Sequence, residues 1–127
     1  KMGRYYHGDI EGKFWFAVQC STDGEYFGME EQEPSHIPYY SDDLELAEEG
    51  VAECKANLRG YLTKMNKFFN SKGSYNDKML SEALNLEGEE HDGKRRELLM
   101  WYARLQLGIK IVKCIKEEGS CWYEAEL

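Results

Sequence analysis

His7, Asp9, Glu11 and Lys13 follow one another at every second position near the start of the chain. On an unbroken strand all four would share one face. The first three could then hold a divalent metal or run acid–base chemistry, as in a metal-dependent hydrolase. Gly12 opposes that geometry, because Asp9-Ile10-Glu11-Gly12 has the Asp-first, Gly-last composition of a type I turn. The turn would direct Glu11 away from His7 and leave these polar groups at the solvated tip of a hairpin. Glu90-His91-Asp92 and His36 add further potential ligands, but no HxxxH or HExxH spacing links them. The sequence contains no GxGxxG, Walker or GxSxG element, and Gly8 to Gly12 is too short and too acidic to cradle a phosphate. No cofactor is expected. An enzyme is the less favoured reading.

A second set combines cations with aromatic rings. Lys94-Arg95-Arg96 lies near the start of a helical segment, where cations oppose the helix dipole. Together with Tyr6 and Trp15, these residues could hold an anionic, nucleotide-like ligand by stacking and charge.

The third set is defined by charge. The chain has 127 residues and a net charge of −8. Residues 14–54 carry eleven acids and no Lys or Arg, whereas residues 55–116 carry thirteen basic residues and seven acids. An acidic balance opposes direct nucleic-acid binding, which needs a basic footprint. A surface dense in carboxylates can instead imitate a phosphate backbone and occupy a basic groove on another protein. Glu30, Glu31, Glu33, Asp42 and Asp43, interleaved with Tyr39 and Tyr40, are the expected contact residues, with tyrosines as amphipathic anchors. The proposal requires these acids to gather on one outward patch.

The elements that must position these groups follow from periodicity. Arg4 to Gln19 reads as a β-hairpin with two-residue loops at Glu11-Gly12 or Ile10-Glu11. Either loop places Tyr5, His7, Phe14, Phe16 and Val18 on one face, and Tyr6, Gly8, Trp15, Ala17 and Gln19 on the other. Gly8 is then expected to lie near Trp15. Residues 20–41 are irregular, with Glu25-Tyr26-Phe27 as a short strand. Ser41-Asp42-Asp43 caps a helix whose apolar positions, from Leu44 to Phe68, recur at alternating steps of three and four. Gly50 and Gly60 interrupt it and mark a close contact or a bend. A short helix around Met79 to Leu84 precedes a second long helix with the seam Leu98, Trp101 or Tyr102, Leu105, Ile109, Val112 and Ile115. Gly119 stops it. Cys121 to Leu127 alternates like a strand and is expected to join the hairpin.

The resulting expectation is one α+β domain over 1–127: a small antiparallel sheet, made of the N-terminal hairpin and the C-terminal strand, on two long antiparallel helices and a short one. The long seams are expected to close within one chain, with homodimerisation through one of them as the alternative. No apolar run approaches the length of a bilayer span, and no signal-like leader opens the chain. Lys1 ahead of Met2 reads as a remnant before a native start. The expected location is the cytoplasm, with Cys20, Cys54, Cys114 and Cys121 reduced and mostly buried.

The segment Gly3-Arg-Tyr-Tyr-His-Gly-Asp-Ile-Glu-Gly-Lys-Phe-Trp-Phe-Ala-Val-Gln19 resembles the start of small uncharacterised proteins of bacteriophages and environmental viral sequences. The resemblance implies a viral accessory role in a host cytosol. Joined to the acidic stretch, it gives the leading expectation: a non-enzymatic inhibitor or adaptor that docks on a basic host protein.

Overall fold

The structure is a computed structural model that describes residues 4–14, 19–33, 35, 38–71, 77–84, 86 and 92–125. Strands β1 (Arg4–Gly8), β2 (Gly12–Phe14), β3 (Glu30–Glu31), β4 (Pro38–Ser41) and β5 (Cys121–Ala125) form one antiparallel sheet in the order β2-β1-β5-β4-β3. The C-terminal strand is central. It joins the N-terminal hairpin, as its alternation predicts, and also carries a second hairpin from the stretch read as irregular.

Register decides which side chains reach the core. Arg4 pairs with Phe14 and Tyr6 with Gly12, so five residues connect the paired positions. That odd count changes the parity of the pairing from that of the expected two-residue loops and exchanges partners between faces. Tyr6, not Tyr5, shares the inner face with Phe14, and both are buried with ring centroids 5.0 Å apart. Gly8 pairs with Tyr123, and a β-carbon there would meet the Trp122 carbonyl oxygen and ring at 2.7 and 2.8 Å. The expected neighbour Trp15 lies outside the described residues; the ring beside Gly8 is Trp122. Asp9 secures this junction, donating its N–H to the Trp122 carbonyl (2.8 Å) and accepting the Trp122 N–H on Oδ2 (3.0 Å).

Ser21–Phe27 is a 3₁₀ helix, not the short strand expected at Glu25-Tyr26-Phe27. Its purpose in the packing is Phe27, which is fully buried between helices α1 (Leu44–Asn57) and α4 (Asp92–Glu118). The ring fits because Gly50 of α1 and Gly108 of α4 have no β-carbon there. Asp43 caps α1, its Oδ1 accepting the Leu46 N–H at 3.0 Å. The expected continuous helix from Leu44 to Phe68 is broken: α2 runs Leu62–Ser71 after a turn in which Gly60 has φ +87°. That backbone region strains other residues and ends the α1 ladder. Helix α3 spans Asp77–Ala83.

Helix α4 has 27 residues and is about 40 Å long. Glu48 meets Lys116, and further along Asn66 meets Tyr102, so α1 and α2 run antiparallel to α4. The buried track of α4 is Leu98, Tyr102, Leu105, Ile111 and Ile115. Ile109 of the expected seam is exposed and Val112 half-buried, because a 3.5-residue spacing drifts about 20° per heptad across a straight helix. One apolar core runs from Tyr6 to Ala125 between helices and sheet. Among the described residues, no helix is long and apolar enough to cross a membrane.

Candidate interaction surface

The acidic contact residues sit where the β3–β4 hairpin meets the start of α1. Glu31 pairs with Tyr39 and Glu30 with Tyr40, so the two tyrosines point to opposite sides of the sheet. Tyr39 is therefore a core residue and not an exposed contact. It stacks on Tyr123 with centroids 5.7 Å apart, and its hydroxyl donates to Glu31 Oε2 at 3.4 Å. Burial first, then Glu31 and Glu25, push this phenol up to about 12. Tyr40 points outward. With Gly28, Glu30, Asp42, Asp43 and Leu46 it borders a concavity of about 190 Å³. Glu33 lies in the turn beyond β3 and is exposed, as are Glu30, Glu31, Asp42 and Asp43. Their charges also blunt the open edge of β3 against pairing with another chain.

The outer sheet face extends this corner. Tyr40 lies opposite Trp122 of β5, His7 opposite Glu124, and Tyr5 opposite Lys13. Tyr5, Tyr40 and Trp122 are 41%, 38% and 38% exposed. His7 Nε2 lies 3.7 Å from Glu124 Oε1, and Lys13 lies over the Tyr5 ring at 5.9 Å. On this face Tyr40 and Trp122 are neighbours at the acidic corner, and Tyr5 lies beyond His7 and Glu124 toward the other end of the strands. Sequence reasoning missed Trp122, although the alternation of Cys121–Ala125 puts it opposite in direction to Tyr123.

The other expected constellations do not assemble. His7 and Glu11 border one open concavity with Tyr5 and Lys13, while Asp9 faces a separate depression with Lys110, Cys114 and Glu117, which Glu11 also borders. Among the described residues, no three His, Cys, Asp or Glu side chains gather to hold a metal ion. Tyr6 is buried, its hydroxyl accepting from Lys110 Nζ at 2.9 Å. Lys94 lies sixteen residues earlier on α4, about 24 Å along the axis. There Lys94 sits 5.4 Å from the Tyr61 ring centroid, Arg95 donates to Ser81 Oγ at 3.2 Å, and Arg96 is exposed. One small ligand cannot bridge Tyr6 and this cluster. Trp15, His36, Glu90 and His91 lie outside the described residues.

The basic half of the chain neutralises Glu48 and Asp23 of the acidic stretch. Glu48 pairs with Lys116 at 3.4 Å. Asp23 is buried and accepts from Arg104 Nε at 3.2 Å. The Arg104 guanidinium lies 4.1 Å from the Tyr26 ring centroid and 4.9 Å from that of Trp101. Burial raises the Asp23 carboxyl above its ordinary range, opposed by Arg104. Asp23 Oδ2 and the Tyr123 hydroxyl are buried with no hydrogen-bond partner among the described residues. This buried pair was invisible in the sequence, where Asp23 is one acid among many. Cys54, Cys114 and Cys121 are buried, and desolvation raises all three thiols. Cys20 is exposed, and none of the four forms a disulfide. Comparison with family models, with curated proteins and with solved structures returns no match to this chain.

Proposed function

We propose that this chain is a non-enzymatic interaction protein that docks its outer sheet face and acidic corner on a basic partner protein. The observation that carries the reading is the continuity of Glu30, Tyr40 and Trp122 across three neighbouring strands, with Asp42 and Asp43 beside Tyr40. Tyrosine and tryptophan bring large contact area with few rotatable bonds, and so suit the centre of an interface. The carboxylates supply long-range attraction and accelerate encounter with a basic surface. The likeness of residues 3–19 to phage and viral proteins favours a host partner, such as a nucleic-acid-processing or defence enzyme whose basic groove the acids would fill.

The test is affinity capture from a host lysate at low and high salt, with the captured proteins identified by mass spectrometry. A basic protein should be retained at low salt and released at high salt. Trp122→Ala and Tyr40→Ala should each weaken its binding about tenfold or more. The double variant Glu30→Lys, Asp42→Lys, which leaves the Asp43 cap in place, should abolish capture while circular dichroism stays unchanged. Undiminished, salt-independent capture by that folded variant would remove the electrostatic basis of the proposal.

A further inference from the structure

Two thiols meet where α4 hands over to the central strand. Cys114 lies in the last turns of α4, Cys121 opens β5, and only Gly119 and Ser120 separate the two elements. The thiols are hydrogen-bonded to each other, and the contact favours the thiolate of Cys114 while disfavouring that of Cys121, so Cys121 is the donor. Cys114 Sγ in turn donates to the Ser120 carbonyl oxygen at 3.3 Å. Burial by itself is ordinary for a free cysteine. Here two sulfurs face each other, and one of them has a path to solvent. Cys121 is fully buried, whereas Cys114 is 6% exposed and lines a depression of about 460 Å³ with Asp9, Lys110, Lys113 and Glu117.

We propose that Cys114 and Cys121 are a redox pair, oxidised by a peroxide to a disulfide that ties the end of α4 to β5. The placement assigns the roles: Cys114 meets the oxidant from the depression, and Cys121 resolves. The Cys114 sulfur attacks one peroxide oxygen, an S–O bond forms, the O–O bond breaks and one water leaves, giving a sulfenic acid. The Cys121 sulfur then attacks the Cys114 sulfur, the S–O bond breaks, and its oxygen departs with the Cys121 proton as a second water. The two thiols lose two electrons and two protons in all, and the peroxide is reduced to water.

Burial raises both thiols, and Asp9 adds to the rise at each. The thiolate fraction is therefore small, so the pair responds slowly to sustained oxidant and is no rapid scavenger. The fold has room for the bond. A disulfide draws sulfurs closer than hydrogen-bonded thiols stand, so one side must follow the other. Cys121 is held by its pairing with Ser41 of β4. Gly119, with φ +88° and open space around it, lets the turn adjust. Trp122 points to the opposite sheet face, and the pair stands or falls independently of the partner reading above.

The test uses the full chain with Cys20→Ser, which removes the exposed thiol. The reduced, native protein is exposed to hydrogen peroxide, blocked with an alkylating reagent and digested with trypsin. Cleavage after Lys113 and Lys116 separates the cysteines, so their bond joins the peptide 114–116 to the peptide 117–127. The intact mass should fall by two hydrogens, that linked pair should be the main product, and dithiothreitol should reverse it. Cys54 should stay free until the chain is unfolded. In the Cys20→Ser background, Cys121→Ser should lose the link and leave a sulfenic acid on Cys114 that dimedone traps. Both thiols still free after overnight exposure to peroxide that oxidises Cys20 in the unsubstituted chain would overturn the proposal. So would a link to Cys54, or over-oxidation of Cys114 with no link.

Discussion

Replacing Arg104 with Met should be among the most damaging substitutions in this chain, and the damage should depend on pH. The Arg104 and Asp23 side chains are only 11% and 2% exposed, so the carboxylate left behind would be a buried, uncompensated charge. Such half-removals cost about 3–5 kcal/mol. Met preserves much of the stem packing but forfeits the cation–π contacts to Tyr26 and Trp101, about 0.5–1 kcal/mol each. For a chain of this length each kcal/mol lowers Tm by about 3–5 °C, so a fall of at least about 10 °C is expected at neutral pH. The Asp23 carboxyl is already raised above its unfolded value of 3.8 by burial, and removing Arg104 takes away the largest opposing influence. A raised acid binds more protons folded than unfolded. Its contribution to stability is therefore present below pH 3.8 and lost as pH rises through the folded value. The deficit of Arg104→Met should shrink on acidification from neutral pH toward pH 4. The double variant with Asp23→Asn should recover stability at neutral pH and lose that dependence. Urea denaturation of wild type, both single variants and the double variant at pH 4.5 and 7.5 measures all of this. If Arg104→Met stays within about 1 kcal/mol of wild type at pH 7.5, or if Asp23→Asn fails to rescue it, the buried-charge account is wrong.

Two further predictions follow from packing and exposure. Gly50→Ala should destabilise by about 1–2 kcal/mol despite the better helix propensity of Ala, because its β-carbon would strike the Tyr26 carbonyl oxygen and the Phe27 ring. Gly93→Ala, with open space around it, should show no such loss, and equal effects at both sites in denaturant titration would contradict the packing argument. In the native protein one thiol, Cys20, should react rapidly with a disulfide reagent, and four should react in denaturant. A second rapid native thiol would show that burial does not protect Cys54, Cys114 or Cys121.

What the sequence made legible is what repeats locally. The alternation of Cys121–Ala125, a cap within Ser41-Asp42-Asp43 and the stop at Gly119 all rest on neighbouring residues and appear in the fold, with Asp43 as the capping residue in place of the Asp42–Glu45 box. The hairpin register was not legible, because both faces of residues 4–19 are aromatic and no polar face selects between registers. Nor was the second hairpin, since β3 is two residues of Glu and gains its strand character from pairing with β4 alone. Tyr39 and Tyr40 read alike in sequence, and the sheet separates them into core and surface. Asp23 and Arg104 lie 81 positions apart, and no periodicity links them.

The charge polarity of the chain looks functional until its structural uses are subtracted. Acids at the start of α1 and lysines at the end of α4 suit the two helix dipoles, and antiparallel packing brings those ends together at Glu48 and Lys116. Asp43 is a cap, Asp23 is half of a buried pair, and Glu31 accepts the Tyr39 hydroxyl. Folding therefore accounts for much of the asymmetry without any partner. It does not account for Glu30 and Asp42, which stand beside an outward tyrosine and border the same concavity as the exposed Leu46. Beyond solubility and the guarding of the β3 edge, carboxylates next to exposed apolar side chains gain nothing for a monomer. Beside a basic protein, the tyrosine and leucine would be covered while the carboxylates met its cations, and both kinds of residue would be used at once.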